Sequence, residues 1–161
     1  TLSPSRVLSK ANGQLFPDIR EDMFISLAYV VLEANNPEIQ MARAGHDPPL
    51  HYQASEQAVT AVQSPGIAIG IDAGNVFEKA IQDHKLQLLP GDILLLHTDG
   101  VNEATNRHGE EFGLDRLYET LIKAAPEGAA AVIESIRDAV EQFAGNVTQN
   151  DDITLVALEK C

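Results

Sequence analysis

Cysteine is nearly absent from this chain: Cys161, at its end, has no internal partner for a disulfide. A reducing compartment suits such a sequence, and a cytoplasmic location is the expectation. Long hydrophobic runs are also missing. No apolar stretch approaches the ~20 residues of a membrane span. The opening Thr1-Leu2-Ser3-Pro4-Ser5-Arg6 has no signal-peptide pattern, and a start at threonine is expected of an excised segment. Basic residues are scarce, with 11 Lys and Arg against 24 Asp and Glu, a formal net charge of −13. Nucleic-acid binding is thereby disfavoured, because phosphates need cations. An anionic membrane surface would repel the chain as well. An acidic surplus suits divalent cations or a basic partner, and otherwise serves solubility. Neither a Gly-x-Ser-x-Gly elbow nor a reactive-cysteine site is found.

At 161 residues the chain is one domain's worth, residues 1–161, and long enough for a real core. Its most informative stretch is Ile93-Leu94-Leu95-Leu96-His97-Thr98-Asp99-Gly100-Val101-Asn102-Glu103. An apolar strand ends there in an acid, whose burial would cost several kcal/mol unless compensated. A hard cation is the natural compensator for a carboxylate at a strand end. A second acidic strand end, Asn150-Asp151-Asp152-Ile153-Thr154, lies far downstream, so a shared metal site is one reading. The plainer reading makes Asp99-Gly100 a hairpin turn and Asp151-Asp152 a solubilising loop. The arm after Gly100 does not alternate, which weighs against the hairpin.

Ser3-Pro4 reads as an N-cap and first-turn proline ahead of Val7, Leu8, Ala11 and Leu15 at helical spacing. Met23–Leu32 is apolar on both faces and predicts a central strand. A turn at Asn35-Asn36-Pro37 and a return strand Glu38–Ala44 complete a hairpin. Strands are expected near Leu50–Gln53, Val59–Gln63, within Phe77–Leu89, over Ile93–His97 and over Ile153–Leu158. Two amphipathic helices are expected, one through Leu114, Leu117, Tyr118, Leu121 and Ile122, the other through Val132, Ile133, Ile136, Val140 and Phe143. Gly145 suits a C-terminal cap. The sum is one α+β unit of hairpin-linked antiparallel strands with late helices.

Six stretches in order carry a resemblance. They are Asp22-Met23-Phe24-Ile25-Ser26-Leu27, Ala42-Arg43-Ala44-Gly45-His46-Asp47-Pro48-Pro49-Leu50, Gly66-Ile67-Ala68-Ile69-Gly70-Ile71, Leu89-Pro90-Gly91-Asp92 running through Asp99-Gly100-Val101, Gly109-Glu110-Glu111-Phe112-Gly113-Leu114-Asp115, and Asp151-Asp152-Ile153-Thr154-Leu155. Together they resemble the SpoIIE/RsbU branch of the PPM (PP2C-like) protein serine/threonine phosphatases. The resemblance implies a sandwich of two antiparallel β-sheets flanked by α-helices. It implies a pair of Mn²⁺ or Mg²⁺ ions at one end, with Asp99 and Asp151 as metal ligands and Asp152 as an alternative to Asp151. It further implies a phosphorylated regulatory protein as substrate, of the anti-sigma-factor antagonist type found in bacterial partner switching.

One family feature is missing. Members carry an Asp-x-x-Gly-His-Gly-like motif whose aspartate bridges both metals, and this sequence contains none; Asp47 and Asp72 do not fit it. The resemblance is therefore to the C-terminal portion of the domain, without the family's N-terminal strands. Metal binding is expected to be weak or absent, and the chain alone is expected to be inactive. A non-catalytic binding module and a structural fragment remain the alternatives.

His46 could approach the site, although a loop-shaping role beside two prolines suits it better. Asn102 and Glu103 follow Asp99 closely enough to support ligands, as Gly100 could. Gly66 and Gly70 suit a strand bend rather than a nucleotide cradle. His84, His97 and His108 lack ligand-like spacing. Without N-terminal strands, Met23–Leu32 becomes the expected exposed surface, and a homodimer through sheet edges follows.

Overall fold

Ser3 caps helix α1 (Pro4–Leu15) in a computed structural model of the chain, which describes residues 3–33, 36–149 and 151–160; its hydroxyl accepts the Arg6 N–H at 3.3 Å. Leu8 is buried and Ala11 packs against the same core, whereas Leu15 is exposed. Helix α1 belongs to the first of two compact units, Thr1–Pro48 with Gln63–Gln87. Strands β1 (Leu27–Val31) and β2 (Glu38–Ala44) form an antiparallel pair with Leu27 opposite Ala44. Of the expected turn, Asn35 lies outside the described residues.

The centre of that unit's sheet is β2, not the Met23–Leu32 run. Among the described strands β1 has only β2 beside it, and Met23, Phe24, Ile25, Leu27 and Leu32 are exposed. The central-strand expectation is thus corrected, while the expectation of an exposed apolar surface there agrees. A run apolar on both faces looks alike in a covered strand and an uncovered edge.

The 77–89 region holds the expected strand, at His84–Gln87, and also overlaps a helix that the sequence pattern did not predict. Residues Asn75–Ala80 form a short helix, α2, because the Asp72 carboxylate collects the N–H groups of Gly74, Val76 and Phe77 at 3.0, 2.9 and 3.2 Å. Those bonds, the one to Gly74 foremost, hold the Asp72 carboxyl below its ordinary range. The strand His84–Gln87 pairs antiparallel with β2, Leu86 standing opposite Ile39. Leu8, Ala42, Ala44, Ile69, Phe77 and Ile81 make the core of the first unit. Gly66 lies so close to β2 that a Cβ there would stand 1.7 Å from the Arg43 carbonyl oxygen, which only glycine permits.

The second unit, Pro49–Val62 with Leu88–Cys161, holds β3 (Leu50–Gln53), β4 (Ala58–Ala61), β6 (Ile93–His97) and β7 (Leu155–Glu159), with β5 (His84–Gln87) pairing β2 in the first unit. Its order is β4-β3-β6-β7, all antiparallel. Here the apolar-run reading holds, since Ile93, Leu94 and Leu95 are fully buried on an internal strand. Helices α3 (Gly113–Ala124) and α4 (Ala129–Ala144) bury Leu117, Leu121, Val132, Ile136 and Val140 of the stripes that the 3.6-residue period predicts, whereas Leu114 and Ile122, at the edges of the first stripe, are exposed. Gly145, at φ 60°, ends α4. The architecture is α+β, two antiparallel sheets with flanking helices.

Candidate metal centre

Antiparallel pairing of β6 with β7 puts the exit of one strand beside the entry of the other. His97 stands opposite Leu155, so Thr98-Asp99-Gly100 and Asp151-Asp152-Ile153-Thr154 meet at the same end of the sheet. Three hydrogen bonds join the two loops. The Thr98 hydroxyl donates to the Asp152 carbonyl at 2.9 Å and accepts the Thr154 N–H at 3.0 Å, while the Thr98 N–H donates to the Thr154 carbonyl at 3.1 Å. Gly100 is required by the close approach, since a Cβ there would meet the Asp152 carbonyl oxygen at 2.7 Å. The Gln149 amide also donates to the Asp151 carbonyl.

Asp99-Gly100 is not a hairpin turn, because β6 has β3 and β7 as neighbours. The chain instead tightens after the strand, with the Glu103 N–H on the Asp99 carbonyl at 2.9 Å. Asp99, Asp151 and Asp152 are all exposed. The cost that burial of Asp99 would carry does not arise, since the residue is exposed. Glu103 is exposed as well. Asn102 is half-buried; its Oδ1 is buried without a hydrogen-bond partner among the described residues, and its carbonyl accepts the Gly113 N–H at 2.8 Å.

His46 belongs to the first unit, and its Nδ1 lies 3.1 Å from the Asp47 carbonyl oxygen. Arg43 donates to the carbonyls of His46 and Ser64, so this loop is pinned from β2. The loop-shaping reading fits these bonds.

Exposed carboxylates on two joined loops are the hard-oxygen donors that Mn²⁺ and Mg²⁺ take. In kind the donors fit; in number they fall short of a complete site. Among the described residues no three His, Cys, Asp or Glu side chains converge on one point.

Sequence reasoning overlooked Thr98, whose signal was a hydroxyl residue between a buried strand and an acid. It also overlooked a buried pair in the same unit. His51 Nε2 lies 3.1 Å from the Asp92 carboxylate, which further accepts the N–H groups of Ala54 at 2.9 Å and Leu89 at 3.1 Å. Burial pushes the Asp92 carboxyl up, but the Ala54 and Leu89 N–H groups and the His51 ring outweigh it and hold it below its ordinary range.

Two antiparallel sheets, outer helices and acidic strand ends define a PP2C-like domain. The SiaA-PP2C domain of Pseudomonas aeruginosa matches with a TM-score of 0.80 and 20% identity, over 99% of this chain and 61% of that one. The chain belongs to the SpoIIE family, described as Stage II sporulation protein E (SpoIIE), which matches residues 1–160. It is 25% identical over 161 residues to phosphoserine phosphatase RsbU of Bacillus subtilis, covering 99% of this chain and 46% of that protein. The chain thus spans about half the length of this curated relative. The phosphatase domain of SpoIIE from Bacillus subtilis, presoaked with Mn, matches with a TM-score of 0.67 and 16% identity, over 96% of this chain and 65% of that one.

Proposed function

We propose that residues 1–161 are part of a single metal-dependent protein serine/threonine phosphatase domain. The observation that carries this reading is the junction of the Asp99 and Asp151 loops at one end of the β6–β7 pair. In it Asp99 and Asp151 supply carboxylate oxygens to Mn²⁺ or Mg²⁺, and Asp152 is the alternative to Asp151. Thr98 and Gly100 hold the two loops together, by a hydroxyl bond and by close backbone approach. Divalent ions, when bound, lower the pKa of a water and neutralise phosphoryl oxygens. No protein nucleophile is then required.

The proposed substrate is a phosphoserine- or phosphothreonine-bearing regulatory protein of the anti-sigma-factor antagonist type. Support comes from family membership and from the naming of the relative RsbU as a phosphoserine phosphatase. The proposed setting is the bacterial cytoplasm. No described helix is long and apolar enough to cross a membrane. Self-association through the exposed β1 edge is also part of the proposal.

A second reading makes the chain a non-catalytic binding module of phosphatase fold. Two measurements separate the readings. Calorimetric titration of the chain with Mn²⁺ should give at most one weak site, and Asp99→Asn should remove it; two tight ions would contradict the incomplete-site reading. Phosphate release from a phosphorylated protein should be negligible for the chain alone. Fusing a family-type Asp-x-x-Gly-His-Gly segment ahead of Thr1 should yield Mn²⁺-dependent turnover that Asp99→Ala or Asp151→Ala abolishes. Turnover that persists after all divalent metal is chelated would rule the mechanism out.

A further inference from the structure

A cavity of about 720 Å³ opens beside the acidic loops, within the second unit. The last turns of α4, the start of β7 and the Ala104–Thr105 segment form it. Ile133, Val140, Ala144, Val147, Ile153 and Leu155 give it an apolar floor. Gln149 and Ile153 also line a second depression, of about 440 Å³, that contains Asp151 and Asp152. The two hollows thus share Gln149 and Ile153 in their walls, which sets the apolar pocket beside Asp151 and Asp152. Its size suits one or two large side chains, in the range of ordinary ligand pockets.

The charges along it are lopsided. Arg137 lines the pocket, but Asp138 holds its guanidinium at 2.9 Å and Glu141 lies at 4.0 Å. Asp138 foremost, with Glu141 behind it, raises the Arg137 pKa. Beside this one paired cation, the charged groups that line the two hollows are Glu141, Asp151 and Asp152. A second copy of this chain, carrying a net −13, would meet like charge there. A cation on the occupant is favoured instead.

We propose that this hollow docks an extended segment of the protein substrate, flanking its phosphorylated residue and carrying an apolar anchor and a neighbouring Lys or Arg. The assignment rests on the phosphatase reading and adds to it how the substrate is chosen. The apolar side chain enters between Val140, Ala144 and Leu155, and the cation settles against Glu141.

The test uses fluorescence anisotropy with the 161-residue chain in metal-free buffer. The probes are two unphosphorylated, fluorescein-labelled ten-residue peptides, one with leucine and arginine two positions apart, the other with glutamate in place of the arginine. Neither phosphate nor metal takes part, so the result is independent of whether Asp99 and Asp151 support hydrolysis. The arginine peptide should bind about fivefold or more tightly than the glutamate peptide. Ala144→Trp, at the last residue of α4, should fill the pocket and weaken binding about tenfold. Glu141→Arg, on an exposed position, should erase the preference without touching the floor. Equal affinity for the two peptides, or full binding by a folded Ala144→Trp chain, would overturn the proposal. So would a change in oligomeric mass on Ala144→Trp, which would assign the pocket to a second copy.

Discussion

Asp92 shows how one buried side chain can fix a turn. Its carboxylate takes three hydrogen bonds while the residue is only 3% exposed. Asp92→Asn leaves donors that a neutral amide cannot all satisfy, and we expect a cost of about 2–3 kcal/mol, read from the urea midpoint. Because the folded carboxyl is held below its ordinary value, near ~3.9 in an unfolded chain, its contribution is present above that pH. It is lost as pH falls through the folded value. The wild-type chain should therefore lose stability in acid more steeply than Asp92→Asn; parallel acid limbs would contradict this. Gly66 fixes a different kind of contact, backbone against backbone. A Cβ 1.7 Å from the Arg43 carbonyl forces the chain apart, so Gly66→Ala should cost about 3 kcal/mol or more. Amide exchange at Ala42 and Ala44 should quicken accordingly.

Among the elements, those with a long, clean period were legible in the sequence. Helices α3 and α4 bury the centre of the stripes their spacing singles out, leaving Leu114 and Ile122 exposed, and β6 buries most of its apolar run. Helix α2 escaped because it spans only six residues and owes its start to Asp72, a side-chain cap that no hydrophobic pattern marks. The Met23–Leu32 run was misplaced at the centre for a related reason. Apolar content records a tendency to be covered but does not name the covering strand. The Asp99 and Asp151 loops were legible as acids at strand ends, and the β6–β7 register brings them together. Their exposure was not legible, since it depends on how the chain turns after Thr98. A substitution at that turn should separate the two contributions. Thr98→Val keeps the branched shape and removes both hydroxyl bonds to the Asp152–Thr154 segment. Exchange at the Thr154 amide should rise, while β3 and β4 amides keep their protection.

For the whole molecule, charge and apolar exposure pull in opposite directions. A net −13 repels a second copy, yet Phe24 is 62% exposed and Met23 55%, beside an outer strand. Burial of apolar surface is worth ~25 cal/mol per Å², whereas exposed charges are screened beyond ~8–10 Å in ordinary buffer. Light scattering at micromolar concentration should report a dimer, and Phe24→Lys should shift it toward monomer. A clean monomer mass, unchanged on dilution, would refute the association. The order in which the chain visits its two units has a consequence for synthesis. The described strands of the first unit have all been made once Gln87 emerges, but β3 and β4 of the second unit are made before their partner β6 exists. Strand β7 comes last of all, after two helices. Non-local pairing of this kind is slow, so the β3–β4 hairpin must wait, half-dressed, while the rest of its sheet is translated. The acidic loops are joined only when β7 docks, after the other strands of that sheet have been made.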